Sequence, residues 1–208
     1  MTSAPPRVTI IDDDALVLRA LDRLLRAAGL AVETFSSADE FLQSRRSAAG
    51  CVVTDLSMPG HGGLELQRAL AAAADSRPIV FISGQGTVPA SVEAMKAGAL
   101  DFLTKPIDER RLLDAVHAAL EKDRVLRERD ARRAAVTARF LTLTGRERQV
   151  LSSVVSGKLN KQIAAQLGTA EKTIKVHRAR MMRKMGVDSL AGLVRAWTAI
   201  PPTRAAAP

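Results

Sequence analysis

The sequence predicts an α/β domain with a doubly wound parallel sheet, joined by a helical linker to an all-α domain of four helices. Three observations predict this. Short β-branched apolar runs alternate with helical patterns over residues 7–120. Residues 140–199 keep helical spacing and carry no strand pattern. Charge divides at the same place: residues 1–122 hold 13 Lys and Arg against 16 Asp and Glu, a net of −3, whereas residues 123–208 hold 18 against 6, a net of +12. Only the second half is therefore expected to meet a polyanion.

The elements follow in order. Val8-Thr9-Ile10-Ile11 reads as the first buried strand. Leu16, Leu18, Leu21, Leu24, Leu25 and Ala28 then recur at nearly helical spacing, stopped by Gly29. Asp14 reads as a surface or helix-start residue. Residues 31–35 form a second strand, and Ser37 opens a short helix to Leu42. Cys51-Val52-Val53-Thr54, residues 78–82 and residues 99–103 supply three more strands. Helices are expected over 63–70, 89–97 and 108–120. Five β–α units with parallel strands give the flavodoxin-like order.

From Glu121 to Arg133, ten of thirteen residues are charged, with no Gly or Pro. Asp123–Arg127 and Glu128–Arg132 are acid-before-base pairs four apart, suited to a solvated helix running on from the preceding one, with a flexible charged tether as the other reading. The boundaries so read are 5–122, a linker over 123–139, and 140–202. In the last region Thr144 and Glu147 have capping-box spacing, and the helix they open runs to Val155. Asn160 is expected to cap 161–167, ended by Gly168; Thr169 or Ala170 opens a longer helix to Met185, ended by Gly186; Ser189 starts the last, through Trp197. The central pair is a helix-turn-helix. The tail, residues 201–208, reads as disordered.

Composition excludes several classes. The 208 residues are 47% apolar, ample for a core, yet no apolar run approaches the roughly 18 residues of a membrane span. The first seven residues lack a signal peptide's apolar stretch. The single Cys51 precludes an internal disulfide, fits a reducing cytoplasm, and reads as a buried core residue. His61, His117 and His177 make no metal-ligand spacing.

Asp12, Asp13, Asp55, Ser83 and Lys105 each lie just after, or at the end of, one of these runs. In a parallel sheet all five gather at the carboxyl edge, where open α/β sheets place ligands. Three carboxylates there repel one another and call for a divalent cation, with Mg²⁺ suited to their oxygens. A Lys and a hydroxyl alongside add a cation and a donor for a phosphoryl group.

Residues 11–14, 54–60, 82–84 and 101–106 together resemble a receiver domain of a two-component response regulator, with the CheY-like fold. The resemblance covers about residues 5–122. It implies that Asp55 is the phosphoacceptor, and that Asp12, Asp13, Asp55 and the backbone carbonyl of Ser57 hold Mg²⁺. It implies that Lys105 pairs with the phosphate, that Ser83 hydrogen-bonds it, and that Pro106 follows a cis peptide. Phe102 falls at the switch-aromatic position; an ordinary strand-end core residue is the other reading. An aspartyl-phosphate enzyme of the haloacid dehalogenase type is the rival. It needs a second Asp two residues after the nucleophile, where this chain has Ser57.

Residues 143–151, 157–164, 173–178 and 184–187 closely resemble the LuxR-type helix-turn-helix, with Gly145 where that family often has Pro. Together the two halves are similar to transcriptional regulators of the FixJ/NarL class. The resemblance places the third helix of the basic half in the major groove. Lys175 and Val176 would meet base edges there, with Ala179 one turn on. Lys161, Lys172 and Arg178 would contact phosphate, with Thr173 in the same DNA-facing set. His177 reads equally as a packing residue or a DNA contact. The Arg183–Lys184 pair suits a helix C-terminus.

The function expected is therefore regulatory rather than enzymatic. A sensor histidine kinase would phosphorylate Asp55, promoting homodimerisation through a face formed by residues 88–97 and 99–105. The dimer would bind promoter DNA and act on RNA polymerase, most often to activate transcription. A phosphorylation-independent DNA binder is the alternative.

Overall fold

A computed structural model describes residues 7–44, 49–84 and 88–200. The expected disordered tail lies outside the described residues. The chain forms two compact units, 1–127 and 128–208.

The first unit is a five-stranded parallel sheet in the order β2-β1-β3-β4-β5. Its strands are β1 (Arg7–Ile11), β2 (Ala31–Phe35), β3 (Gly50–Asp55), β4 (Ile79–Ser83) and β5 (Asp101–Thr104). Its helices are α1 (Ala15–Ala27), α2 (Ala38–Gln43), α3 (Gly63–Ala72), α4 (Val88–Lys96) and the first part of α5 (Glu109–Leu141). Successive strand residues point to opposite faces. Val8, Ile10, Cys51, Val53, Val80 and Ile82 pack with Leu21 and Leu25 of α1 and Leu112 and Val116 of α5. Ile11, Val52, Ile79 and Phe81 pack with Phe41 of α2, Leu66 and Leu70 of α3, and Ala94 of α4. Both faces are thus covered, which explains why the strands read as continuous apolar runs. Cys51 is fully buried, and burial pushes its thiol pKa up to about 12.

Local chemistry sets the helix starts. Asp14 is the N-cap of α1, its carboxylate accepting from the Leu16 N–H at 2.7 Å. Ser37 caps α2 by accepting from the Glu40 N–H at 3.2 Å.

Three expectations need correction. The last strand begins at Asp101, not Ala99: the chain leaves α4 through Gly98 (φ 95°), and the Ala99 N–H is still bonded to the Ala94 carbonyl. Asp123 is not a solvated linker charge. It is 2% exposed, accepts from the Gly50 N–H at 2.8 Å, and pairs with Arg127 at 2.8 Å. That bond anchors β3 where it starts. Gly50 is required there, because a Cβ would lie 1.8 Å from the Arg7 carbonyl oxygen and φ is 137°.

The third correction lies in the second unit. It contains the end of α5, then α6 (Gly145–Val155), α7 (Asn160–Gln166), α8 (Glu171–Met185) and α9 (Leu190–Thr198). Leu159, not Asn160, is the N-cap of α7, and the Gln162 side chain accepts from its N–H at 2.8 Å. Asn160 is already helical, and its side-chain oxygen accepts from Arg178 of α8 at 3.1 Å. Phe140, Val150, Leu151, Ile163, Ile174, Met181, Met185 and Leu193 form one core. Thr144 and Glu147 form the expected reciprocal capping box.

Candidate functional site

The carboxyl edge of the sheet gathers four of the five expected side chains. Asp12 follows β1, Asp55 ends β3, Ser83 ends β4, and Lys105 follows β5. Asp12 and Asp55 are 1% and 5% exposed. The Lys105 ammonium lies between them, 2.9 Å from Asp12 Oδ2 and 2.8 Å from Asp55 Oδ1. Burial works against the charged ammonium. The hydrogen bonds and charges of Asp55 and Asp12 outweigh it, so the Lys105 pKa lies above lysine's ordinary value. The other oxygens are also engaged: Asp12 Oδ1 accepts from the Asp14 N–H at 2.9 Å, and Asp55 Oδ2 accepts from the Ser57 N–H at 2.6 Å.

Backbone geometry fixes this cluster. The Lys105 N–H donates to the Ser83 carbonyl at 2.8 Å, and the Leu56 N–H donates to the Ile82 carbonyl at 2.9 Å. The Lys105–Pro106 peptide is cis. Gly63 opens α3 so close to β3 that a Cβ would sit 2.5 Å from the Asp55 carbonyl oxygen. The Ser83 hydroxyl is buried and has no hydrogen-bond partner among the described residues. Such a group is costly unless something binds it.

Asp13 is not drawn into the cluster; its side chain is exposed. Among the described residues no three His, Cys, Asp or Glu side chains are grouped to hold a metal. The donor chemistry nevertheless fits Mg²⁺. The pocket offers hard carboxylate and carbonyl oxygens, and two buried carboxylates share one ammonium, leaving negative charge uncompensated.

In the second unit, α7 and α8 meet across Leu167-Gly168-Thr169-Ala170 as a helix-turn-helix. Ile174, Met181 and Met185 are buried, so the opposite face of α8 is free. Lys172, Thr173, Lys175, Val176 and Ala179 are exposed there, as is Lys161 on α7. His177 and Arg178 are half-buried.

Residues 8–117 match the response regulator receiver domain, and residues 141–197 match the LuxR family of bacterial regulatory proteins. The chain belongs to the two-component response regulators of the FixJ/NarL type. Response regulator protein TodT of Pseudomonas putida F1 is 48% identical over 189 residues, which cover 90% of this chain and 83% of TodT. Transcriptional regulatory protein FixJ of Azorhizobium caulinodans is 43% identical over 189 residues, 90% of each chain. The solved structure of response regulator StyR matches with a TM-score of 0.85 at 47% identity, covering 94% of this chain and 99% of that one. This response regulator thus couples a CheY-like receiver domain to a LuxR-type DNA-binding domain. Among its described residues no helix is long and apolar enough to cross a membrane.

Several contacts of the side chains at these sites are not contained in the sequence pattern. In the receiver domain His61 Nδ1 lies 2.7 Å from Asp39 Oδ1, joining the loop after Asp55 to α2. Phe102 is half-buried with its ring 6.3 Å from that of Phe81. In the DNA-binding domain Lys184 does more than suit a helix end. Its ammonium meets the buried Glu147 carboxylate at 2.7 Å and the Thr142 carbonyl at 3.1 Å. Arg146 donates to the Leu167 carbonyl at 2.6 Å, fastening α6 to the turn before α8. No sequence signal separates Arg146 from its solvated neighbours, since its role depends on where that turn lands.

Proposed function

We propose that a sensor histidine kinase phosphorylates this protein at Asp55, and that the modified protein dimerises and binds promoter DNA to activate transcription with RNA polymerase. The observation that carries this reading is the buried Ser83 hydroxyl, without a hydrogen-bond partner among the described residues, at the sheet edge that also bears Asp55 and Lys105. A phosphoryl group on Asp55 would give that hydroxyl an acceptor and Lys105 an anion to hold.

The chemistry follows from the pocket. Asp55 Oδ attacks the phosphorus of a phosphohistidine or a small phosphodonor, the donor's bond to phosphorus breaks, and an aspartyl phosphate results. Lys105 neutralises charge on the transferred group. Mg²⁺, held by Asp12, Asp13, Asp55 and the Ser57 carbonyl, would supply further neutralisation of the phosphoryl oxygens. Ser83 turns to the phosphate, and Phe102 is the candidate to follow it. Exposed Val88, Val92 and Met95 lie on α4, within the face formed by residues 88–97 and 99–105, and supply an apolar patch for the dimer. In the second domain Lys175 and Val176 read base edges with Ala179 one turn on. Lys161, Lys172, Thr173 and Arg178 hold the backbone, Arg178 from its place beside Asn160.

The test is phosphorylation of purified protein by acetyl phosphate with Mg²⁺. Intact mass should rise by one phosphoryl group in the native protein and stay unchanged in Asp55→Asn. Full labelling of that variant would overturn the assignment.

A further inference from the structure

We infer that Glu171 is a specificity-determining residue that reads a cytosine in the major groove, one or two base pairs from the base read by Lys175. The inference rests on α8 being the groove-reading helix.

Glu171 is the first residue of α8, following Ala170 at the N-cap. The N-terminal residues of such helices are those that reach base edges. Its side chain is 44% exposed and lies on the free face of the helix with Lys175, whose ammonium is 3.2 Å away. It is the one acidic residue in the 15 of α8, in a domain otherwise rich in Lys and Arg. A carboxylate directed at DNA is repelled by phosphate and weakens binding to every sequence. Two base-edge donors face the major groove, the cytosine N4 and adenine N6 amino groups. Adenine sets its N7 acceptor beside the amino group, against a carboxylate, so cytosine is the better partner for a Glu oxygen.

Spacing supports a paired reading. Four residues of helix rise about 6 Å, close to two base-pair steps of roughly 3.4 Å. Glu171 and Lys175 thus present an acceptor and a donor at the separation of nearby base pairs, cytosine for one and guanine for the other. In the free protein they satisfy each other, which holds both side chains extended along the exposed face. The plain alternative is that Glu171 only supports the helix N-terminus and its neighbour.

The two readings differ in what Glu171→Gln does. Loss of the negative charge alone would tighten binding to all duplexes alike. A lost cytosine contact would change base preference at one position, and Gln can pair with adenine instead. The experiment selects binding sites from a randomised duplex pool with the full chain treated with acetyl phosphate, as native protein, Glu171→Gln, Glu171→Ala and Lys175→Ala. Affinities for the selected and scrambled duplexes are then measured. Expected for Glu171→Gln is a move from cytosine towards adenine at one position, with roughly tenfold lost discrimination there and tighter binding to scrambled DNA. Glu171→Ala should lose the preference without gaining another. Unchanged preferences for both Glu171 variants, with Lys175→Ala altering its own position, overturn the inference alone. Unchanged preferences for all three overturn the placement of α8 as well.

Discussion

At the scale of single residues, the pocket holds two kinds of carboxylate. Asp12 and Asp55 are buried and tied to Lys105, whereas Asp13 is exposed beside them. Removing Asp13 lowers the charge available to a cation and also relieves repulsion in the metal-free protein. Asp13→Ala should therefore bind Mg²⁺ weakly by titration calorimetry while its metal-free melting temperature holds or rises. Unchanged Mg²⁺ affinity would exclude Asp13 from the site. The positions of Asp12, Asp55, Ser83 and Lys105 were legible because each follows or ends a strand, and strand ends are visible as the end of an apolar run. The state of each side chain was not. That Lys105 bridges two carboxylates and that Asp13 stands apart depend on side-chain directions, which strand patterning does not contain.

Among the elements, α6 shows how a short local signal becomes a domain-wide support. The capping box of Thr144 and Glu147 was readable from four residues, but the partner of Glu147 lies 37 residues away on α8. Burial opposes ionisation of Glu147. Lys184 and the Thr144 N–H more than offset it, so the Glu147 pKa lies below the usual glutamate value. A lowered carboxyl pKa adds stability above the unfolded-state value of about 4.3, and that stability is lost as pH falls through the lowered one. Glu147→Gln should thus be less stable by about 1–3 kcal/mol near neutral pH. The gap should close on acidification below about pH 4. Unfolding followed by the fluorescence of Trp197, the single tryptophan and part of this core, reports on this domain directly. A gap that stays constant from pH 7 to 3 would contradict the assignment. Helix ends marked by Gly29, Gly168 and Gly186 were legible because glycine is a local device. The cap of α7 was misread because Asn160 is held by Arg178, a contact set by the packing of two helices.

For the whole molecule, α4 presents Val88, Val92 and Met95 at 75%, 43% and 45% exposure, three apolar side chains on one nine-residue helix. Covering it with a second copy is the symmetric solution. Sedimentation velocity at micromolar concentration should show a monomer for Asp55→Asn and a dimer for the native protein after acetyl phosphate. Phosphorylated protein that stays monomeric while binding its selected duplex tightly would argue against this face. The division of fold class and charge between the halves was evident in composition alone, because a parallel sheet and a helical bundle need different residue patterns. The continuation of α5 through residues 121–133 was evident too, from the charged run without Gly or Pro, but its end at Leu141 was not.

The bond between Asp123 and the Gly50 amide sets a hidden minimum length for the receiver domain. Composition invites a cut after residue 122, where the sign of the charge changes. Such a cut would strand a buried amide at the root of the strand that carries Asp55, leaving a donor with nothing to donate to. A fragment extended through Arg127 keeps both the carboxylate and the guanidinium that holds it. The strand that ends in Asp55 is therefore moored to the helix that leads out of the domain, and the two cannot be parted by trimming at the point where the charge turns.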